Sequence, residues 1–181
     1  QYLPDWRPGI DYRKSMSAHK TQGGGVMLDL VHEFDYINWL LGPIRSISGK
    51  NGKISNLEID TEDVSVNIIE TISGALGTLH LDYLQCELSR SCKVIGDEGV
   101  IVWDYNNSTV KFMSHQDRVW LTHDFSEYKR NDRFIDIMET FMASSKEVND
   151  DRLVNFKDAI KSIELVELSK EANIHNYMVS L

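Results

Sequence analysis

Asp29, His32, Glu33 and Tyr36 stand at spacing i, i+3, i+4, i+7. On an α-helix these four fall within a narrow arc of one face. They are an acid, an imidazole, a second acid and a phenol, the residue types that move protons. Histidine exchanges a proton near neutral pH, and a carboxylate one turn away orients it and raises its basicity. Asp29 and His32 are so spaced and can hydrogen-bond. A solvated helix face with i,i+4 contacts is the competing reading. A metal site is a third, with His32, Glu33 and Asp35 as ligands. No second histidine stands four positions away and no cysteine pair assists, so no metal is expected.

The element that must position these groups is a helix over 25–41. Met27, Leu30, Val31, Phe34, Ile37 and Leu41 form its opposite, apolar arc. Gly42-Pro43 ends it, and Gly23-Gly24-Gly25 leads into it. Consecutive glycines let a ligand or another stretch of backbone approach closely, and a helix start attracts anions. A turn required by chain geometry explains them equally well. They are not a dinucleotide fingerprint, because no Gly-x-Gly-x-x-Gly follows a strand.

From residue 44 the period changes to two. Strands are expected at Ile44–Ile54, Asp63–Ile72, Gly77–Cys86, Ser91–Ile95, Val100–Tyr105, Thr109–Met113 and Val119–His123. Their tight polar separators argue for antiparallel hairpins. Helical period returns at 127–145 (Phe134, Ile137, Met138, Phe141, Met142) and 155–172 (Phe156, Ala159, Ile160, Ile163, Val166), with Asn149-Asp150-Asp151 as a polar loop between them. Strands followed by helices indicate an α+β fold: an open, predominantly antiparallel sheet with helices packed on one face. One domain over 1–181 is expected.

Residues 1–22 show no clean period and read as an extended arm or loop with a short helical turn. Trp6, Arg7, Tyr12, Arg13 and Lys20 make it basic and aromatic in a chain of net charge −9. Aromatic rings stack on sugar faces and arginine forks hold carboxylates, so the arm is a candidate substrate contact. An arm packed on its own domain is the alternative. The remaining histidines (His19, His80, His115, His123, His175) read as surface or strand residues.

With 28 acidic against 19 basic residues the chain repels phosphate backbones, so no nucleic acid is expected. No apolar run approaches a membrane span, and no signal peptide is recognised. Cys86 and Cys92 form no metal motif. Two thiols in a chain of 181 residues suit a reducing cytoplasm without a disulfide.

The stretch Gly23 to Gly42, Gly-Gly-Gly-x-x-x-Asp-Leu-x-His-x-x-Asp-x-x-x-Trp-Leu-Leu-Gly, resembles the opening of the C-terminal domain of the glucose-fructose oxidoreductase / inositol dehydrogenase (Gfo/Idh/MocA) family. The order of helix, sheet and closing helices agrees over nearly the whole chain. The arm Leu3-Pro4-Asp5-Trp6-Arg7-Pro8-Gly9 with Tyr12-Arg13 looks like a bacterial sugar-modifying branch. The resemblance implies a two-domain enzyme. A Rossmann domain, absent from this chain, holds NAD or NADP, and this domain supplies the substrate residues for hydride transfer at a sugar-like CH–OH group. It implies His32 as acid/base and Asp29 as its partner; Trp6, Arg7, Tyr12, Arg13, Glu33 and Tyr36 are the candidate substrate contacts beside them. It also implies a homo-oligomer formed through the exposed sheet face. Asp29 stands three positions before His32, where many members have four, and the family's Glu-Lys-Pro lysine motif is absent. The Gln1 start agrees with a fragment, expected to be inactive alone. A non-catalytic sugar-binding and dimerisation module is the alternative, and a metal-dependent hydrolase or epimerase the third.

Overall fold

The structure is a computed structural model that describes residues 1–144, 153–175 and 179–180. Asn149-Asp150-Asp151 and the side chain of His175 lie outside the described residues. The chain forms two compact units, Gln1–Cys86 with Val154–Leu181, and Glu87–Leu153.

The first unit opens with an arm of four short 3-10 turns, at Leu3–Asp5, Tyr12–Lys14, Met16–Ala18 and Lys20–Gln22. Helices α1 (Val26–Asp29) and α2 (Val31–Leu41) follow. The continuous helix expected over 25–41 is therefore two helices. Leu30, at φ −110° and ψ 27°, leaves the helical region between them.

A sheet of β1 (Ile44–Gly52), β2 (Val64–Thr71), β3 (Leu76–Asp82) and β8 (Val179–Ser180) is ordered β3-β2-β1-β8. Every pairing in it is antiparallel, with an irregularity between Ile44 and Ser46. Helix α4 (Phe156–His175) packs on β1 and α2. The core gathers Val26, Met27, Phe34, Ile44, Ile47, Ile69, Leu79, Leu81, Tyr83, Leu165 and Val166.

On β2 the period of two is kept with polar side chains inward. Ser65, Asn67 and Thr71 are buried, while Val66 and Ile68 on the other face are exposed. The buried groups are satisfied across the fold. Asn67 donates to Ser65 Oγ (2.9 Å), and Ser169 of α4 donates to Asn67 Oδ1 (2.6 Å). Asn51 donates to the Ser169 carbonyl (3.1 Å). Left unpaired, each would cost about 1–3 kcal/mol.

β3 ends at Asp82 rather than at Cys86. The Asp82 carboxylate accepts from Leu84 N (2.9 Å) and Gln85 N (3.1 Å) and turns the chain. On α4 the buried face is Ser162, Leu165, Val166, Ser169 and Ala172. Phe156, Ile160 and Ile163, expected in its apolar stripe, are exposed.

The second unit is a meander of β4 (Ser91–Gly96), β5 (Gly99–Asp104), β6 (Thr109–Ser114) and β7 (Trp120–Asp124), paired in that order and antiparallel throughout. Arg90 lies over Trp103, 5.1 Å from the ring centroid, and over Tyr105 at 5.7 Å. Helix α3 (Asp132–Ser144) begins five residues later than expected, and its apolar stripe, Phe134, Ile137, Met138, Phe141 and Met142, is exposed. The seven expected strands are all present, with the described pairings antiparallel and helices alongside, so the α+β expectation holds.

Candidate active site

The proton-handling residues gather where α1 gives way to α2. The start of α1 is fixed from a distance. Val26 N donates to the Glu62 carbonyl (3.1 Å), and Met27 N donates to Glu62 Oε1 (3.3 Å). A carboxylate at a helix start satisfies free N–H groups and complements the helix dipole. Gly25, at φ +118°, lies against that carboxylate, and a Cβ there would overlap it. A Cβ at Gly24 would overlap the Met16 carbonyl. The two glycines thus admit the chain's own backbone and its own carboxylate.

Asp29 is the last residue of α1. Its Oδ2 accepts a hydrogen bond of 2.6 Å from the Tyr83 hydroxyl. Tyr83 is fully buried. Burial first, then Asp29 and Glu62, push its phenol far above the ordinary tyrosine range. The Trp6 ring meets Tyr83 edge-on, centroids 5.2 Å apart at 89°.

His32 and Glu33 open α2. His32 Nε2 lies 3.1 Å from Glu33 Oε1, with the imidazole half exposed and the Glu33 side chain 9% exposed. The carboxylate beside His32 is therefore Glu33. The expected Asp29–His32 bond is replaced by Asp29–Tyr83 and His32–Glu33, because the break at Leu30 ends the shared helical face. Tyr36 is part-buried farther along α2. Asp35 accepts from Ser162 Oγ (2.8 Å) and ties α2 to α4. Among the described residues no three His, Cys, Asp or Glu side chains are grouped to hold a metal.

Most of the arm candidates are engaged within the protein. The Arg13 guanidinium is forked on Asp11 (2.8 and 3.0 Å) and reaches Glu58 (3.2 Å). Asp11, then Glu58, raise the Arg13 pKa further, and the same pairing lowers that of Asp11. The Tyr12 hydroxyl accepts from Glu58 N (3.2 Å), and Trp6 Nε1 donates to the Gln1 carbonyl (2.9 Å). Arg7 is exposed.

Sequence reasoning missed Tyr83 and Glu62. Tyr83 continues the inward alternation of Leu79 and Leu81, which was its available signal. Glu62 lies in the polar connection before β2, and no periodicity marks it.

A second polar cluster involves His80, whose Nε2 lies 3.0 Å from Asp82 Oδ2. Burial alone would raise the Asp82 pKa. Gln85, the Leu84 and Gln85 backbone donors and His80 more than offset it and hold it low.

The family profile described as "Oxidoreductase family, C-terminal alpha/beta domain" matches residues 11–181. Among curated proteins none matches the chain. Among solved structures, a levoglucosan dehydrogenase in complex with NADH is similar with a TM-score of 0.84 at 17% identity, over 99% of this chain and 56% of that one. An aldose-aldose oxidoreductase from Caulobacter crescentus gives 0.79 at 16%, over 95% and 52%. The GenD2 protein of gentamicin A biosynthesis, in complex with NAD, gives 0.71 at 23%, over 96% and 52%. At these identities the likeness shows the fold. The chain spans about half the length of these proteins.

Proposed function

Because the chain belongs to this oxidoreductase family through its C-terminal α/β domain, we propose that it is the substrate-handling and oligomerisation half of a two-domain NAD(P)-dependent enzyme. That enzyme would oxidise or reduce a CH–OH group of a sugar or sugar derivative. The family match carries the reading. The NADH in the levoglucosan dehydrogenase, the NAD in GenD2 and the aldose-aldose oxidoreductase support the cofactor and substrate class.

The glycines before α1 do not fit a dinucleotide, because Glu62 brings an anion to the place a phosphate would need. Nicotinamide binding is accordingly assigned to the other half of the enzyme, and no step through it is derived from this chain. What falls to this chain is the substrate's hydroxyl proton. His32 is the acid/base, its exposed imidazole reachable from solvent and its neighbour Glu33 able to orient it. Asp29 accepts from a substrate hydroxyl.

The oligomeric contact is assigned to the outer face of the first sheet, where Val66, Ile68 and Leu76 are exposed. Phe156, Ile160 and Ile163, exposed on α4, are suited to packing by the remainder of the protein. Two cysteines in a chain of 181 residues suit a cytoplasmic enzyme. Among the described residues no helix is long and apolar enough to cross a membrane.

Calorimetry with NAD⁺ and NADP⁺, on this chain and on the full-length protein, tests the division of labour. Binding at micromolar concentration by the full-length protein alone is expected. Micromolar binding by this chain would overturn the division. No binding by either would favour the non-catalytic sugar-binding module.

A further inference from the structure

Tyr83 is held at its backbone, at its ring and at its hydroxyl. Its backbone N–H donates to the Asp63 carbonyl (2.9 Å) and its carbonyl accepts from Leu3 N (2.9 Å). Trp6 closes on the ring edge-on, and Trp6 is itself tied to the Gln1 carbonyl. A side chain pinned at both backbone groups and at the ring has little freedom left to lose. Its hydroxyl ends 2.6 Å from Asp29 Oδ2.

At Asp29 the described backbone support is a single hydrogen bond, from its N–H to the Gly25 carbonyl (3.0 Å). Asp29 closes a four-residue helix, and the next residue, Leu30, has left the helical region. Among the described residues, the Tyr83 hydroxyl is the one hydrogen-bond donor to its side chain, so Oδ1 has no partner. An ionised carboxylate only accepts, and with Oδ2 committed, Oδ1 is the oxygen available to a substrate hydroxyl.

We propose that Tyr83 is a positioning residue of the active site, its buried phenol braced by Trp6 and fixing the Asp29 carboxylate so that Oδ1 is presented to substrate. The inference rests on the reading of Asp29 as a substrate-facing acceptor. It gives Trp6 a role distinct from the substrate contact expected for it. The indole acts through Tyr83.

The phenol suits the task because it stays protonated. Its proton is retained well above the ordinary tyrosine range, so the donor persists at every pH at which a nicotinamide enzyme works.

The test uses the full-length protein, with NAD⁺ and NADP⁺ in turn and a panel of hexoses, inositols and 1,6-anhydrohexoses. Tyr83→Phe keeps the ring and its packing on Trp6 and removes only the hydroxyl. The expected result is a fall in kcat of about tenfold or more. KM should stay within about twofold. In an Asp29→Asn background, Tyr83→Phe should give no further loss. Wild-type kcat in Tyr83→Phe, with Asp29→Asn impaired, would overturn the positioning role. Wild-type kcat in Asp29→Asn would instead overturn the reading of Asp29, and a wild type inert on the whole panel would overturn the function itself.

Discussion

The Glu62 carboxylate occupies the space that a side chain at Gly25 would need. Glu62 caps the start of α1 and so sets where Asp29 comes to lie, and Gly25 at φ +118° makes room for it. Gly25→Ala is predicted to destabilise the chain by about 1–3 kcal/mol, from backbone strain and from displacing the cap. Gly23→Ala should cost less. Gly23 also has positive φ, at +78°, but open space where a Cβ would go. Urea unfolding of the two variants checks the order, and equal losses would contradict the role given to Glu62.

The turn at the end of β3 carries an acid-side pH dependence. The lowered Asp82 pKa means that its stabilising contribution is present above the unfolded value of about 4 and is lost as pH falls through the folded value. Asp82→Asn should therefore flatten the fall in urea midpoint between about pH 5 and pH 2. Parallel curves for the two proteins would remove Asp82 from that account.

Tyr83 has the opposite sign. Its folded pKa is raised, so its contribution is fully present below the unfolded value of about 10 and is lost as pH rises beyond it. At pH 7 Tyr83→Phe should lose about 1.5–3 kcal/mol, the range for a hydrogen bond to a charged group. Above about pH 10 the gap between wild type and variant should narrow. Unfolding midpoints at pH 7 and pH 10.5 read both effects.

How far the sequence reveals this fold depends on where each partner lies. The strands are legible because Ser73-Gly74, Gly96–Gly99 and Asn106–Ser108 punctuate a clear period of two. Which face of β2 points inward is not, since Ser65 and Asn67 are buried only because Ser169, 102 residues beyond Asn67, supplies the hydrogen bond. The helix over 25–41 is legible as helical sequence, and its break is not. Apolar periodicity runs unbroken through Leu30, whereas the residues that fix α1 on either side, Glu62 and Tyr83, lie 35 residues after Met27 and 54 after Asp29. For that reason the chemical residue types at Asp29, His32 and Glu33 could be read directly, but their pairing could not.

On the proposed function, His32 handles the substrate proton in a nicotinamide-dependent sugar oxidoreductase. The most direct test is steady-state oxidation of the sugar panel by full-length wild type and His32→Asn, with nicotinamide binding measured on both to confirm an intact cofactor half. In His32→Asn, kcat is expected to fall by about 10²–10⁴-fold with cofactor affinity unchanged. A His32→Asn variant that turns over at the wild-type rate would contradict it.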